Sequence, residues 1–370
     1  MLRLRWGETG DTGRGLGMTG TAGGGPERVA PSTVEDLTSI LRKATEEQRV
    51  VNVVGGGTKQ GYGSPLLPDL VLEMGGLSGI EEWDPDDLTV TVGAGTPVAE
   101  LEAALRERSQ TAVLPEVPGA STVGGVISAG ISSLRRARLL GTRERMLEVR
   151  LVTGDGRVVR GGGRVVKNVS GYDLPRLVVG AFGSLGVITS VCLKLWPMPP
   201  AAVTITIDDV RVADRVTRPL AVLERNGVTE VFLWGTPEEV AASGGRLGGA
   251  AVEGHRWPGD PQGLYRWSVR VPPALTSEAI ARLPSGWDYL AVHGAGDIRA
   301  ASPNSHGADL LRSWVEASGG AVVVTKAPDG DLDGLDPWGS PPPGLEIQRR
   351  LIAQFDPARI INPGRLPGGL

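Results

Sequence analysis

Three glycine-rich segments, set apart from one another by whole secondary elements, constrain this chain more than any other feature. VVGGGTKQGYG (53–63) follows a run of β-branched residues. PGASTVGGVISAG (118–130) mixes glycine with Ser121, Thr122 and Ser128, and GAFGSLGVI (180–188) leads into another apolar run. Glycine lets the backbone approach a ligand closely and frees N–H groups to line a concavity that can hold a phosphate. Taken alone, the first segment is a weak signal, with a tight turn between two strands as the alternative. It does not meet the conditions of a Rossmann fingerprint, which needs a helix opening directly after the loop and an acidic residue about 20 positions on. Pro65 and Pro68 block a long helix, DLVLEM (69–74) reads as strand, and Glu73 stands alone. Three such segments together are better explained by one long ligand that spans them all, and a dinucleotide has that length.

Composition narrows the options further. The 55 glycines in 370 residues are about twice the usual share, but without a Gly-X-Y period they do not make a collagen. With 40% hydrophobic and 22% charged residues the chain folds, and its length predicts two domains. No apolar run approaches the roughly 20 residues of a membrane span, and the N-terminus lacks an apolar signal core. A net charge of -4 with no block of like charge argues against nucleic acid as the main partner. Cys192 is the single cysteine, which excludes an internal disulfide and a four-thiolate metal or iron-sulfur site. The histidines are His255, His293 and His306, so chemistry in the first 254 residues works without imidazole.

Along the chain, residues 1–28 read as a disordered Gly-rich leader. A helix is expected from Ser32, with Glu35 three positions later as a capping box and Val34, Leu37, Ile40, Leu41 and Ala44 on one face, ending before Arg49. RVVNVV (49–54) and DLVLEM read as strands. IEEW and LTVTVGAG read as a hairpin across DPDD, and a helix opens at Thr96 and Pro97 with Val98, Leu101 and Leu105 inward. The stretch 114–138 shows little periodicity and reads as loop or buried ligand-contacting backbone. A hairpin around 154–156, a short helix over 173–179 and a strand over 186–196 follow, and the proline cluster WPMPP (196–200) marks a boundary. Beyond it, VTITI, VFLW, LYRWSVRV, WDYLAVHG and AVVVTK read as strands of a second α+β domain. A Pro/Gly/Asp-rich linker (328–344) then precedes a final helix with Ile347, Leu351, Ile352 and Phe355 on one face.

The series GGGTKQGYG, LTVTVGAGTPVAELEAAL, GASTVGGVISAG, KNVSGYD and GSLGVI resembles the FAD-binding domain of the vanillyl-alcohol oxidase/p-cresol methylhydroxylase (PCMH) type. With the closing FDPARIINPGRL it is similar to the FAD-binding E-type subunits of bacterial glycolate oxidases. The resemblance covers about residues 30–200 and the C-terminal segment. It implies an α+β fold: a two-subdomain PCMH-type FAD-binding domain (29–199), a smaller α+β cap-like domain (200–344), and a C-terminal helix and return segment (345–370). It also implies FAD as cofactor, with Gly55, Gly56, Gly57, Thr58 and Lys59 on the pyrophosphate. Gly119, Ala120, Ser121, Thr122, Gly124, Gly125 and Ser128 would run along the ribityl chain and isoalloxazine, and Gly183, Gly186, Val187 and Ile188 would lie near the adenosine. Many relatives anchor the flavin through a histidine in the first loop. Thr58 and Lys59 occupy that region here, so the flavin is expected to be non-covalent, with Cys192 a buried structural thiol rather than an anchor.

Other residues divide between functional and structural readings. Arg135, Arg136, Arg138, Arg143 and Arg145 form a basic cluster in which Arg135 or Arg136 contacts the flavin or a substrate carboxylate, or else serves a surface or subunit contact. Lys167 and Asn168 order a loop over the cofactor or form a structural turn. AVHGAGDIRA (291–300) keeps only His293 and Asp297 of the metal-binding segment of related 2-hydroxyacid dehydrogenases, so no metal is expected and His293 reads as a strand-end residue. His255 and His306 read as loop residues without evident partners. No catalytic base is identified. The leading reading is an FAD subunit of a glycolate oxidase-type complex that oxidises glycolate or a related 2-hydroxy acid. Its electrons would pass to a catalytic flavoprotein subunit and an iron-sulfur subunit, in the cytoplasm and at most peripheral to the inner membrane. A stand-alone FAD-dependent alcohol or sugar oxidase, and a scaffold subunit that retains the fold, are the alternatives.

Overall fold

The computed structural model describes residues 25–117, 119–163, 172–328, 332 and 334–370. Lys167, Asn168 and residues 1–24 of the expected leader lie outside the described residues. The leader boundary at 28 is corrected by β1 (Glu27–Val29), which already pairs in a sheet. α1 (Val34–Glu46) is capped one residue later than expected: Thr33 Oγ1 accepts the Asp36 N–H at 3.0 Å, and the Asp36 carboxylate accepts the N–H groups of both Ser32 and Thr33. Asp36 therefore does the work assigned to Glu35, which is exposed. Leu37, Leu41 and Ala44 are buried as the period required.

β2 (Val51–Val54) and β3 (Leu70–Glu73) are parallel neighbours, with β3 central and β1 on its other side. Parallel neighbours need a crossover, so the 55–69 segment cannot be a hairpin turn. β4 (Ile80–Asp84) and β5 (Thr89–Gly93) form the expected hairpin. α2 (Val98–Arg106) buries Val98, Leu101 and Leu105, and β6 (Gln110–Thr111) follows. The aperiodic stretch contains two short helices, α3 (Val123–Ser128) and α4 (Arg136–Leu139). Adjacent glycines at 124 and 125 hid the first, although Val123, Val126 and Ile127 are buried on it. β7 (Met146–Val152), β8 (Val158–Gly162), α5 (Leu174–Leu177, capped by Asp173) and β9 (Val187–Lys194) complete an antiparallel five-stranded sheet of order β4-β5-β9-β7-β8.

β10 (Trp196–Pro197) returns to pair with β6. An eight-stranded antiparallel sheet then takes over: β11 (Ala201–Ile207), β12 (Ala221–Arg225), β13 (Val228–Gly235), α6 (Pro237–Leu247), β14 (Ala250–Glu253), β15 (Tyr265–Arg270), α7 (Thr276–Ala281), β16 (Asp288–Val292), β17 (Asp297–Ser302), α8 (Ala308–Ala317) and β18 (Ala321–Lys326). Its order is β14-β11-β13-β12-β16-β17-β15-β18. β12, β14 and β17 were not read from sequence. α9 (Leu345–Phe355) leaves Ile347 64% exposed and buries only Ile352 fully, so its apolar face is narrower than expected. The chain then returns to the first sheet, where Ile361 bridges Val51 and Ile360 and Ile361 join the core under α1. Among the described residues no helix is long and apolar enough to cross a membrane.

Candidate functional site

The return segment, the first glycine loop, α3 and the start of β9 close around a cleft. Gly55, Gly56, Gly57, Thr58, Lys59, Thr122, Gly124, Gly125, Ser128, Gly183, Gly186, Val187 and Ile188 line it. Gly119, Ala120 and Ser121 do not; Ala120 and Ser121 back the first loop instead. A Cβ on Gly56 would lie 1.6 Å from the Ala120 carbonyl oxygen, and one on Gly55 would lie 2.1 Å from Thr122 Oγ1. The Thr58 and Ser121 hydroxyls share a hydrogen bond of 3.0 Å. Close packing of loop on loop therefore demands the first two glycines. Gly57 differs: its φ of +69° favours glycine, and a Cβ there would meet nothing within 4 Å.

Amide accounting separates the loops. At the start of α3, Val123 N–H donates to Thr96 O at 2.9 Å, Gly124 N–H to Ala94 O at 2.8 Å, and Gly125 N–H to Thr122 Oγ1 at 3.2 Å. These donors are spent. Among the described residues no intramolecular hydrogen bond takes the N–H groups of Gly55 to Lys59, while the carbonyls just beyond are held from behind. Arg365, 5% exposed, donates to Tyr62 O (3.1 Å), Gln60 O (2.6 Å), Lys59 O (3.2 Å) and Gln60 Oε1 (3.2 Å). Asn362 donates to Phe182 O at 2.7 Å and accepts from Val53 N–H at 3.2 Å, tying the first loop to the third. Both side chains also line the cleft. Sequence reading assigned neither a role; a polar pair inside INPGR, in a segment with no periodicity, was the only signal.

A second cavity adjoins the first, with Lys59 and Ala129 common to both walls. Strand periodicity builds it. On β15, Tyr265, Trp267 and Val269 point into the core, which turns Arg266, Ser268 and Arg270 to the opposite face. In register, Ser268 faces Arg299 and Arg270 faces Asp297 on β17. Arg299 pairs with Asp260 at 2.7 Å and donates to Ser132 O at 3.3 Å, and Asp297 lies 3.8 Å from Arg136. Burial holds the Lys59 ammonium below its ordinary pKa, with Arg299 and Arg266 adding to the effect and Asp260 opposing it. Burial likewise raises the Tyr62 phenol.

Several of the remaining candidates have partners elsewhere in the fold. Arg135 pairs with Glu116 at 2.7 Å and donates to Leu114 O, and Arg145 lies over the Trp196 ring. His293 is held by Glu224 at 2.9 Å. His255, expected to lack a partner, bonds Leu233 O at 2.7 Å and packs edge-on against Phe232 and Trp257. Cys192 is buried in β9. Among the described residues no three His, Cys, Asp or Glu side chains gather as a metal site.

Residues 27–162 match the family model described as FAD binding domain. This part of the chain is an FAD binding domain. Glycolate oxidase subunit GlcE of Escherichia coli (strain K12) is 28% identical over 356 residues, which cover 89% of this chain and 96% of that protein. D-lactate dehydrogenase of Archaeoglobus fulgidus is 34% identical over 172 residues, and glycolate oxidase subunit GlcD of Bacillus subtilis is 32% identical over 181. The chain spans 38% of the length of each of these two. Among solved structures, alkyldihydroxyacetonephosphate synthase matches 91% of this chain and 75% of its own at a TM-score of 0.62 and 14% identity. That likeness extends beyond the FAD binding domain and carries the fold, a PCMH-type FAD-binding architecture with a further α+β unit.

Proposed function

We propose that this chain is the FAD-binding subunit of a glycolate oxidase-type complex, oxidising glycolate or a related 2-hydroxy acid to the 2-oxo acid. The observation that carries the reading is the junction at Lys59: a cleft lined by uncommitted backbone amides shares this wall residue with a cavity lined by Arg266, Arg270 and Arg299. The residues fit FAD. Gly55 to Lys59 offer consecutive donors beside open space at Gly57, as a pyrophosphate requires. Thr122, Gly124, Gly125 and Ser128 would flank the ribityl chain and ring, and Gly183, Gly186, Val187 and Ile188 the adenosine. In this reading residues 29–199 hold the cofactor, 200–344 cap it, and 345–370 return to clasp the first loop. Neither Cys192 nor any histidine lines the cleft among the described residues, which supports non-covalent attachment.

FAD, when bound, supplies the acceptor for the two electrons that leave the hydroxylated carbon. The chain's own part is to bind and orient: Lys59, beside the Arg299–Asp260 pair, holds the substrate carboxylate next to the flavin cleft. Electrons then pass to partners, a catalytic flavoprotein subunit and an iron-sulfur subunit, in a cytoplasmic assembly at most peripheral to the membrane. A stand-alone FAD-dependent alcohol or sugar oxidase or dehydrogenase is the second reading. Purified full-length chain, reconstituted with FAD and desalted, is expected to retain about one flavin per chain; a desalted chain without flavin absorbance sinks the proposal. Turnover with an artificial electron acceptor, measured with and without the partner subunits, separates the two readings.

A further inference from the structure

The second cavity carries more positive charge than a single carboxylate needs. Its cations are Lys59, Arg266, Arg270 and Arg299, and its acids are Asp260 and Asp297. Both acids are already engaged, Asp260 by Arg299 at 2.7 Å and Asp297 by Arg136 at 3.8 Å. Among the described residues no carboxylate lies within ion-pair distance of Lys59, Arg266 or Arg270. Arg266 donates to Gln262 Oε1 at 2.8 Å, while its Nε is buried with no partner. A buried, unpaired guanidinium N–H is costly to leave unmade, which marks a place for an acceptor.

Geometry spreads these charges out. Arg266 and Arg270 stand on the same face of β15 about 13 Å apart along the strand, with Ser268 between them and Arg299 opposite Ser268. Lys59 closes the end shared with the FAD cleft. The result is an elongated row of cations along one wall of the cavity. Glycolate, with five heavy atoms and one negative charge, would occupy one end of it and leave arginines unmatched.

We infer that this cavity takes a 2-hydroxy acid bearing a second carboxylate, with Arg266 and Arg270 as the residues that select for it. The inference rests on the reading of the cleft given above and names its substrate class. One carboxylate pairs with Lys59 beside the flavin cleft, next to the Arg299–Asp260 pair; the other lies along the Arg266–Arg270 row, where guanidinium forks match its geometry.

The test is calorimetric titration of the FAD-loaded full chain, at fixed ionic strength, with glycolate, racemic 2-hydroxybutyrate and racemic malate. Malate and 2-hydroxybutyrate have the same carbon chain, so their comparison isolates the second carboxylate. Malate is expected to bind at least about tenfold tighter than either competitor. Arg270→Gln, on an exposed strand position, is expected to reduce that ratio to below about threefold with flavin content and circular dichroism unchanged. Arg266→Lys, which keeps the charge and loses the fork, is expected to fall between. If malate binds no tighter than 2-hydroxybutyrate while glycolate still binds, the second-carboxylate inference is overturned and the 2-hydroxy acid reading stands. If none of the three acids binds to chain that holds flavin, both fail and only the FAD assignment survives. A malate preference untouched by either substitution overturns the assignment to Arg266 and Arg270.

Discussion

The two adjoining cavities are built from opposite materials. The FAD cleft is a backbone structure, in which glycines let loops touch, committed amides hold α3 in place and uncommitted amides face the open space. Arg365 serves it chiefly by holding loop carbonyls. The second cavity is a side-chain structure, where charges projected from one face of β15 and β17 are counted, paired or left over. A backbone site depends on what is missing at a position, so it fails when an atom is added. A charged site depends on what is present, so it fails when an atom is removed. Substitutions that add at one and subtract at the other test whether this division is real.

The largest effect is expected from addition at Gly56. Its Cβ would lie 1.6 Å from the Ala120 carbonyl, and backbone cannot yield as a flexible side chain does. Gly56→Val is expected to separate the first two loops, lower the melting temperature and abolish flavin retention, with at least the 1–3 kcal/mol typical of overpacking (roughly). Gly57→Ala meets nothing within 4 Å and suffers only from its φ of +69°, about 1–2 kcal/mol, so it should keep its flavin. Equal flavin loss in both would break the argument that loop contact is what requires glycine at 56.

Subtraction in the charged cavity comes next. Arg299→Leu leaves Asp260 without its partner; because Asp260 is about a quarter exposed (26%), the cost is placed at the lower end for such pairs, about 3 kcal/mol. Denaturant unfolding should show it, and Arg299→Leu with Asp260→Leu should recover part of the loss. Arg365→Ala falls between the two classes, since it removes a side chain to damage a backbone site. Three loop carbonyls lose the Arg365 donor, of which Lys59 O keeps the Tyr62 N–H at 3.3 Å, and the FAD dissociation constant is expected to rise about 10- to 30-fold, near 2 kcal/mol, with partial rescue by Arg365→Lys. An unchanged FAD affinity would mean that the loop keeps its shape without the clasp.

The same division explains what the sequence disclosed. Glycine carries its reason locally: GGGTK after a β-branched run announces a backbone that must bend or touch, and residues of all three glycine segments meet at one cleft. The tight-turn alternative for the first segment falls only once β2 and β3 are seen to be parallel. The helix α3 stayed hidden because Gly124 and Gly125 occupy positions where a periodic pattern would show side chains. Arg266 and Arg299 were illegible for a different reason. On β15, Arg-x-Ser-x-Arg looks like any solvated strand face, and only the register between β15 and β17, strands separated by α7 and β16 in the chain, joins it to Arg299. Asn362 and Arg365 lie some 300 residues from the loop they clasp, joined to it only by the return of the chain to the first sheet.

The smallest predicted effect lies where the two cavities meet. Burial depresses the Lys59 ammonium below its ordinary value of 10.5. The unfolded chain therefore holds this proton at pH values where the folded chain has released it, so the Lys59 contribution to stability rises with pH between the depressed value and 10.5. Anion binding has the opposite sign. The charged form attracts a carboxylate, so affinity is highest below the depressed pKa and falls a few-fold, roughly, as pH rises through it. Lys59→Gln should bind glycolate more weakly at neutral pH and lose the alkaline decline, whereas Lys59→Arg, charged throughout, should bind well and also show no decline. Titration calorimetry across the alkaline range checks both. A decline that persists in Lys59→Arg would assign it to another group, with Tyr62, whose phenol burial raises, the nearest candidate in the wall.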